Sequence, residues 1–139
     1  MAAGASSAQY DKYEPLSSTV AVRHIKINNN ATWSDAFQFA EPADQTWNLV
    51  GQKFELDVQR NRYDLVPLLS LSTDNGRIIT SDPIQRAIYF KVSPADIQAN
   101  LPPGVYIYDL VMVAADDFRT TLMTGTVTVG QGVTYPTVG

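Results

Sequence analysis

The chain has 139 residues, with 10 lysines and arginines against 14 acids for a net charge of −4; 45% of residues are hydrophobic and 17% charged. That length suits one domain, large enough to bury about two-thirds of its unfolded surface without a metal or disulfide. The negative balance argues against general nucleic-acid binding, which needs a basic face to displace counterions. The absence of cysteine removes thiol catalysis, cysteine-based zinc sites and disulfides, and a single histidine removes every site that needs two.

Met1 to Ala8 is small and apolar but has no basic flank and no leucine-rich core, so it does not read as a signal peptide. Residues 1–17 read as an N-terminal arm: Tyr10, Tyr13, Pro15 and Leu16 stand among small residues that cannot bury enough surface to offset ordering entropy. Thr19 to Ile27 is a β-branched, mostly alternating run, and Trp33, Phe37 and Phe39 share one parity. Phe54, Leu56 and Val58 alternate with Lys53, Glu55, Asp57 and Gln59, the pattern of a half-buried strand. Val66 to Leu71 is more continuously apolar and predicts a central strand, closed by the turn signal Asp74-Asn75-Gly76. Ile78-Ile79 and Ala87 to Val92 supply further strands.

Ser93-Pro94-Ala95-Asp96 is the one helix start, with Ser93 as cap, Pro94 in the first helical position and Asp96 completing a capping box. Pro102-Pro103 forbids continuation, so the helix is limited to about two turns. Gly104 opens the longest strand, Val105 to Val113, which puts Tyr106, Tyr108, Leu110 and Met112 on one face, with Leu110 and Met112 expected in the core. Asp116-Asp117 marks a turn, and Arg119 to Val129 returns as a threonine-rich strand. Gly130 to Gly139, with Pro136 and Tyr135, reads as a C-terminal tail. The fold expected is all-β: an immunoglobulin-like antiparallel β-sandwich of seven to eight strands over residues 18–129, with one short helix and extended terminal arms. The longest apolar run, Leu110 to Ala115, is far short of the ~20 residues a membrane span needs.

Chemistry is sparse. His24 lies inside the first β run, with no glycine-flanked nucleophilic serine elsewhere, so a solvent-facing or hydrogen-bonded strand histidine is preferred to a triad base. Asp116-Asp117 supplies only two adjacent acids, which point to opposite faces in a strand, and reads as a hairpin turn rather than a calcium loop. Gly125, Gly130 and Gly132 fit no phosphate-binding spacing. Asn30-Ala31-Thr32 matches the glycosylation acceptor pattern, which matters only in a secretory pathway. Trp33, Trp47, Tyr106 and Tyr108 offer rings for stacking on sugars, but core packing is the preferred assignment. Tyr106 follows Pro103-Gly104-Val105, where sandwiches often tie a tyrosine hydroxyl to the backbone. Arg60 and Arg62 form the only local basic cluster, at a strand end, where they are either solvated or pair with an acidic neighbouring subunit. No catalytic residue, metal ligand or cofactor site emerges, and no hydrolytic turnover is expected.

Three segments taken in order carry a resemblance: Phe54-Glu55-Leu56-Asp57-Val58-Gln59-Arg60-Asn61, then Ile88-Tyr89-Phe90-Lys91-Val92 leading into Ser93-Pro94-Ala95-Asp96, and Leu101-Pro102-Pro103-Gly104-Val105-Tyr106-Ile107-Tyr108-Asp109-Leu110 leading to Gly125-Thr126-Val127-Thr128-Val129. This order resembles the small immunoglobulin-like domains of tailed-phage and prophage structural proteins, including the N-terminal domain of the baseplate upper protein family, over residues 54–129. The resemblance implies a bacteriophage virion structural protein, made in the host cytoplasm and present in multiple copies per particle. Such a protein would dock on portal, adaptor, tail, baseplate or capsid subunits, in the tail, neck or baseplate. The alternatives are a capsid decoration protein and a carbohydrate-binding module of a virion or cell surface. Tyr10, Tyr13, Leu16, Arg60, Arg62 and Tyr135 are the expected partner contacts, the arms and an edge strand engaging neighbours by strand addition. Neither nucleic acid nor membrane is an expected partner.

Overall fold

A computed structural model describes residues 20–40 and 48–134 of the chain. Among these, nine strands and one helix follow in the order β1 (Ala21–Val22), β2 (Ile25–Asn28), β3 (Ala36–Gln38), β4 (Lys53–Gln59), β5 (Leu69–Ser72), β6 (Ile78–Asp82), β7 (Ala87–Phe90), α1 (Pro94–Asn100), β8 (Gly104–Val113) and β9 (Arg119–Gly130). They build a β-sandwich with one short helix. The larger sheet runs β1-β9-β8-β4-β5, with β2 also on β9, and the smaller runs β3-β7-β6. Pairing is antiparallel throughout except that β1 and β2 lie parallel to β9.

Alternation decides which side of each strand is dry. Phe54, Leu56 and Val58 are fully buried while Lys53, Glu55 and Asp57 between them are exposed. On β8, Tyr106, Tyr108, Leu110 and Met112 all face the core, as their shared parity requires. Phe37, Ile78, Ile88 and Phe90 from the smaller sheet close the other side, with Trp33 edge-on to Phe90 at 5.7 Å between ring centroids. The helix plugs one end through buried Ile97 and Leu101; Asp96 N donates to the Ser93 cap hydroxyl (3.2 Å). The Tyr106 hydroxyl donates to the Pro102 carbonyl, which fixes the corner where the chain enters β8. The acidic turn is Ala114 to Phe118, closed by Ala114 N on the Phe118 carbonyl (2.9 Å), with Asp117 in the left-handed region at φ 68°.

Three expectations are corrected. Thr19 to Ile27 is not one strand: it lapses at Arg23 and His24, although β1 and β2 keep the same offset against β9. The Arg23 carbonyl there accepts the Tyr108 hydroxyl (2.7 Å), and His24 Nδ1 accepts the Thr126 N–H instead (3.3 Å). Gly125 permits the approach, since a Cβ at that position would collide with the Arg23 carbonyl. Val66 to Leu71 is not a central strand either. Pro67 has no N–H to give and restricts Val66, so pairing begins only at Leu68, whose N–H donates to the Val58 carbonyl (2.9 Å) just ahead of an edge strand. Lastly, the start of the C-terminal tail is held by the chain itself: Gly132 N donates to Asn29 Oδ1 (2.9 Å) and Asn30 Nδ2 to the Thr134 carbonyl (2.6 Å).

Candidate docking face

The outer face of the larger sheet carries the polar halves of β4 and β8. Register sets Asp57 directly opposite Asp109 on the neighbouring strand, with Ser70 on β5 opposite Asp57 and Thr124 on β9 opposite Asp109. The two hydroxyls serve the carboxylates: Ser70 Oγ donates to Asp57 Oδ1 (2.7 Å) and Thr124 Oγ1 to Asp109 Oδ1 (2.6 Å). Directly opposed like charges oppose folding, and at cross-strand range the repulsion is of order 1 kcal/mol in a solvated setting. Two cations near this face are engaged elsewhere, Arg119 with Glu55 and Asp117, and Lys53 with Asp74. A shallow cavity of about 150 Å³ lies over the pair, lined by Glu55, Asp57, Gln59, Arg62, Ile107 and Val111 among others.

Beside it, residues 60–68 form the β4–β5 loop. Tyr63, Leu65 and Val66 are 89%, 97% and 76% exposed. The loop is nonetheless tied down: Gln59 Nε2 donates to the carbonyls of Asn61 and Asp64 (both 3.0 Å), and Asn61 N donates to Asp64 Oδ2 (3.0 Å). Apolar side chains are thus presented to water on a hydrogen-bonded frame.

Of the residues expected to touch partners, Arg62 lines this cavity, while Arg60 lays its guanidinium over the Tyr106 ring at 5.1 Å. Tyr10, Tyr13, Leu16 and Tyr135 lie outside the described residues, as does Trp47. Trp33, Tyr106 and Tyr108 are buried and cannot form an exposed sugar platform. His24 lies in the break between β1 and β2, bonded to Thr126 (2.9 Å to Oγ1), and not within a strand as expected. Sequence reasoning missed Asp57 with Asp109, because their opposition depends on the β4–β8 register; it left Tyr63 and Leu65 unassigned and put Val66 in a strand because the apolar run Val66 to Leu71 reads as buried. Pro67 was the available signal for the latter.

The fold and this face define a β-sandwich with a polar, carboxylate-bearing sheet face beside an apolar loop. No protein-family model and no curated protein matches the chain. Among solved structures it is similar to the PmoD soluble domain of a Methylocystis species, at 14% identity over 76% of this chain and 77% of that one, with a TM-score of 0.42. It is also similar to CopC of Methylosinus trichosporium, at 8% identity over 86% and 93% of the two chains with a TM-score of 0.41. For extracellular domains 3–5 of Drosophila OTK the values are 12%, 76%, 32% and 0.34. The virion expectation is withdrawn: the structures named above are PmoD, CopC and OTK domains, not particle components. The tail, neck, baseplate, decoration and glycan-module assignments are withdrawn with it. At such scores the likeness transfers no ligand to this chain. Among the described residues, no group of three or more histidine, cysteine or acidic side chains is placed to hold a metal ion, and no helix is long and apolar enough to cross a membrane.

Proposed function

We propose that the protein is a non-catalytic docking module that binds a protein partner through the β4–β5 loop and the adjoining outer face of the larger sheet. The observation that carries this reading is the exposure of Tyr63, Leu65 and Val66 on a loop pinned by Gln59, Asn61 and Asp64. Exposed apolar side chains gathered in one place favour association, and a loop already ordered loses little entropy when it docks. Tyrosine at such a position is a frequent anchor. The opposed Asp57 and Asp109 add charge selectivity, since a lysine or arginine from the partner relieves their repulsion.

The reading is tested by following backbone amide resonances of the full chain against synthetic peptides that alternate arginine with leucine, and against matched peptides that alternate glutamate with leucine. The arginine–leucine peptides are expected to shift Leu65, Ile107 and Val111, and Tyr63→Ser with Leu65→Ser to weaken binding by roughly tenfold or more. Shifts confined to other faces, or equal responses to both peptide sets, would reject it.

A further inference from the structure

An edge strand is an open template: its outward N–H and C=O groups can pair with any extended chain. In β5 the outward residues follow from the ladder. Thr73 N donates to the Phe54 carbonyl (3.0 Å), and Leu71 and Leu69 oppose Leu56 and Val58, so the odd-numbered residues bond β4. Ser70 and Ser72 therefore turn their backbone groups away from the sheet.

Those groups meet a side chain that imitates a peptide unit. The Asn75 amide donates from Nδ2 to the Ser70 carbonyl (2.9 Å) and accepts at Oδ1 from the Ser72 N–H (3.0 Å), as a neighbouring strand would. Arg77 adds a second donor, Nη1 on the same Ser70 carbonyl (2.9 Å). Its other nitrogen is anchored on Asp96 of the helix (3.0 Å), which fixes the guanidinium in place. Asn75 is itself oriented, with its N–H on the Ser72 hydroxyl and its Oδ1 also accepting from Arg77 N (both 3.0 Å). The left-handed Gly76 (φ +78°) allows the turn that brings these side chains back onto the strand they follow.

We infer that Asn75, with Arg77, is a built-in strand mimic that closes the β5 edge against strand addition. The occupant it excludes is β5 of a second copy, which would pair antiparallel about a twofold axis. In such a pair the outward groups of Ser70 and Ser72 in one copy meet the same groups of the other, so the open edge is complementary to itself. The closure is independent of the docking proposal, since none of its hydrogen bonds involves Tyr63, Leu65, Asp57 or Asp109.

The test compares wild type with Asn75→Ala and with Asn75→Ala/Arg77→Ala, using hydrogen exchange at the Ser72 amide and mass by light scattering over a concentration series. In the wild type, Ser72 exchange should be slow and independent of concentration. In the variants its exchange should rise by about tenfold or more when dilute, the change that follows from losing roughly 1.4 kcal/mol of local protection. On concentration the mass should move toward a dimer and Ser72 should become protected again. If the double variant lacks a cooperative melt, the single variant decides. A folded variant that remains monomeric at every concentration overturns the inference, as does wild-type protein whose Ser72 protection grows with concentration.

Discussion

Tyr108 shows how one hydroxyl sets a local course of the chain. It sits in the core face of β8, yet its oxygen reaches the Arg23 carbonyl at 2.7 Å, the group that would otherwise continue the β1–β9 ladder. Burial pushes its phenol up to about 12, with Asp35 and Asp109 adding to the rise and Arg23 opposing it. The folded protein therefore holds this proton more tightly than the unfolded chain, whose tyrosines release theirs near 10. Below that pH the contribution to stability is fully present; as pH rises toward 12 the unfolded state loses the proton first, and stability falls. Denaturant melts across this range should show a decline that Tyr108→Phe largely removes. At neutral pH the same variant should be less stable by about 1–3 kcal/mol, because the Arg23 carbonyl loses its donor. A flat profile in the wild type would mean that Tyr108 ionises as a solvated phenol.

At the scale of elements, what could be read in advance depended on whether the information was local. The alternation of β4, the Ser93 cap, the Pro102-Pro103 stop and the burial of Leu110 and Met112 are all set within a few residues and follow from the sequence. The edge position of β5 and the opposition of Asp57 to Asp109 depend on which strand lies alongside, and no local pattern encodes that. The opposed pair also makes a measurable claim about β4 and β8. Asp57→Asn and Asp109→Asn each keep an oxygen for the hydroxyl of Ser70 or Thr124 while removing the repulsion between the two. Each should raise the denaturant midpoint, by about 0.5–1 kcal/mol at low salt and less at high salt. The double variant should gain little beyond either single one, since the repulsion is relieved once. A loss of stability in both singles would show the carboxylates to be structural rather than held for a ligand.

For the whole molecule, the sandwich was legible from strand spacing, whereas its closure at the C-terminal end was not. A stretch with Gly130 and Gly132 ahead of Pro136 has the composition of a free tail, and nothing in that composition reveals that Asn29 and Asn30, a hundred residues away, reach for it. Asn29 is 5% exposed, and its side chain meets residues 131 and 132: Oδ1 takes Gly132 N at 2.9 Å and Nδ2 lies 3.4 Å from Gln131 Oε1. Its backbone is engaged as well, with its N–H on the Gly130 carbonyl (3.0 Å) and its carbonyl taking Gln98 Nε2 from the helix (2.7 Å). Asn29 thus joins the N-terminal strands, the helix and the end of β9 at one point. Removing residues 131–139 should strip partners from this buried amide and lower stability by about 1–3 kcal/mol. Gly132→Ala offers a gentler version, because a Cβ there would press on the Asn30 side chain and loosen the segment without deleting it. Both should speed amide exchange at Asn29 and Gln98 while leaving the β4–β5 loop unchanged. A truncated protein within about 0.5 kcal/mol of the full chain would return these residues to the status of a tail.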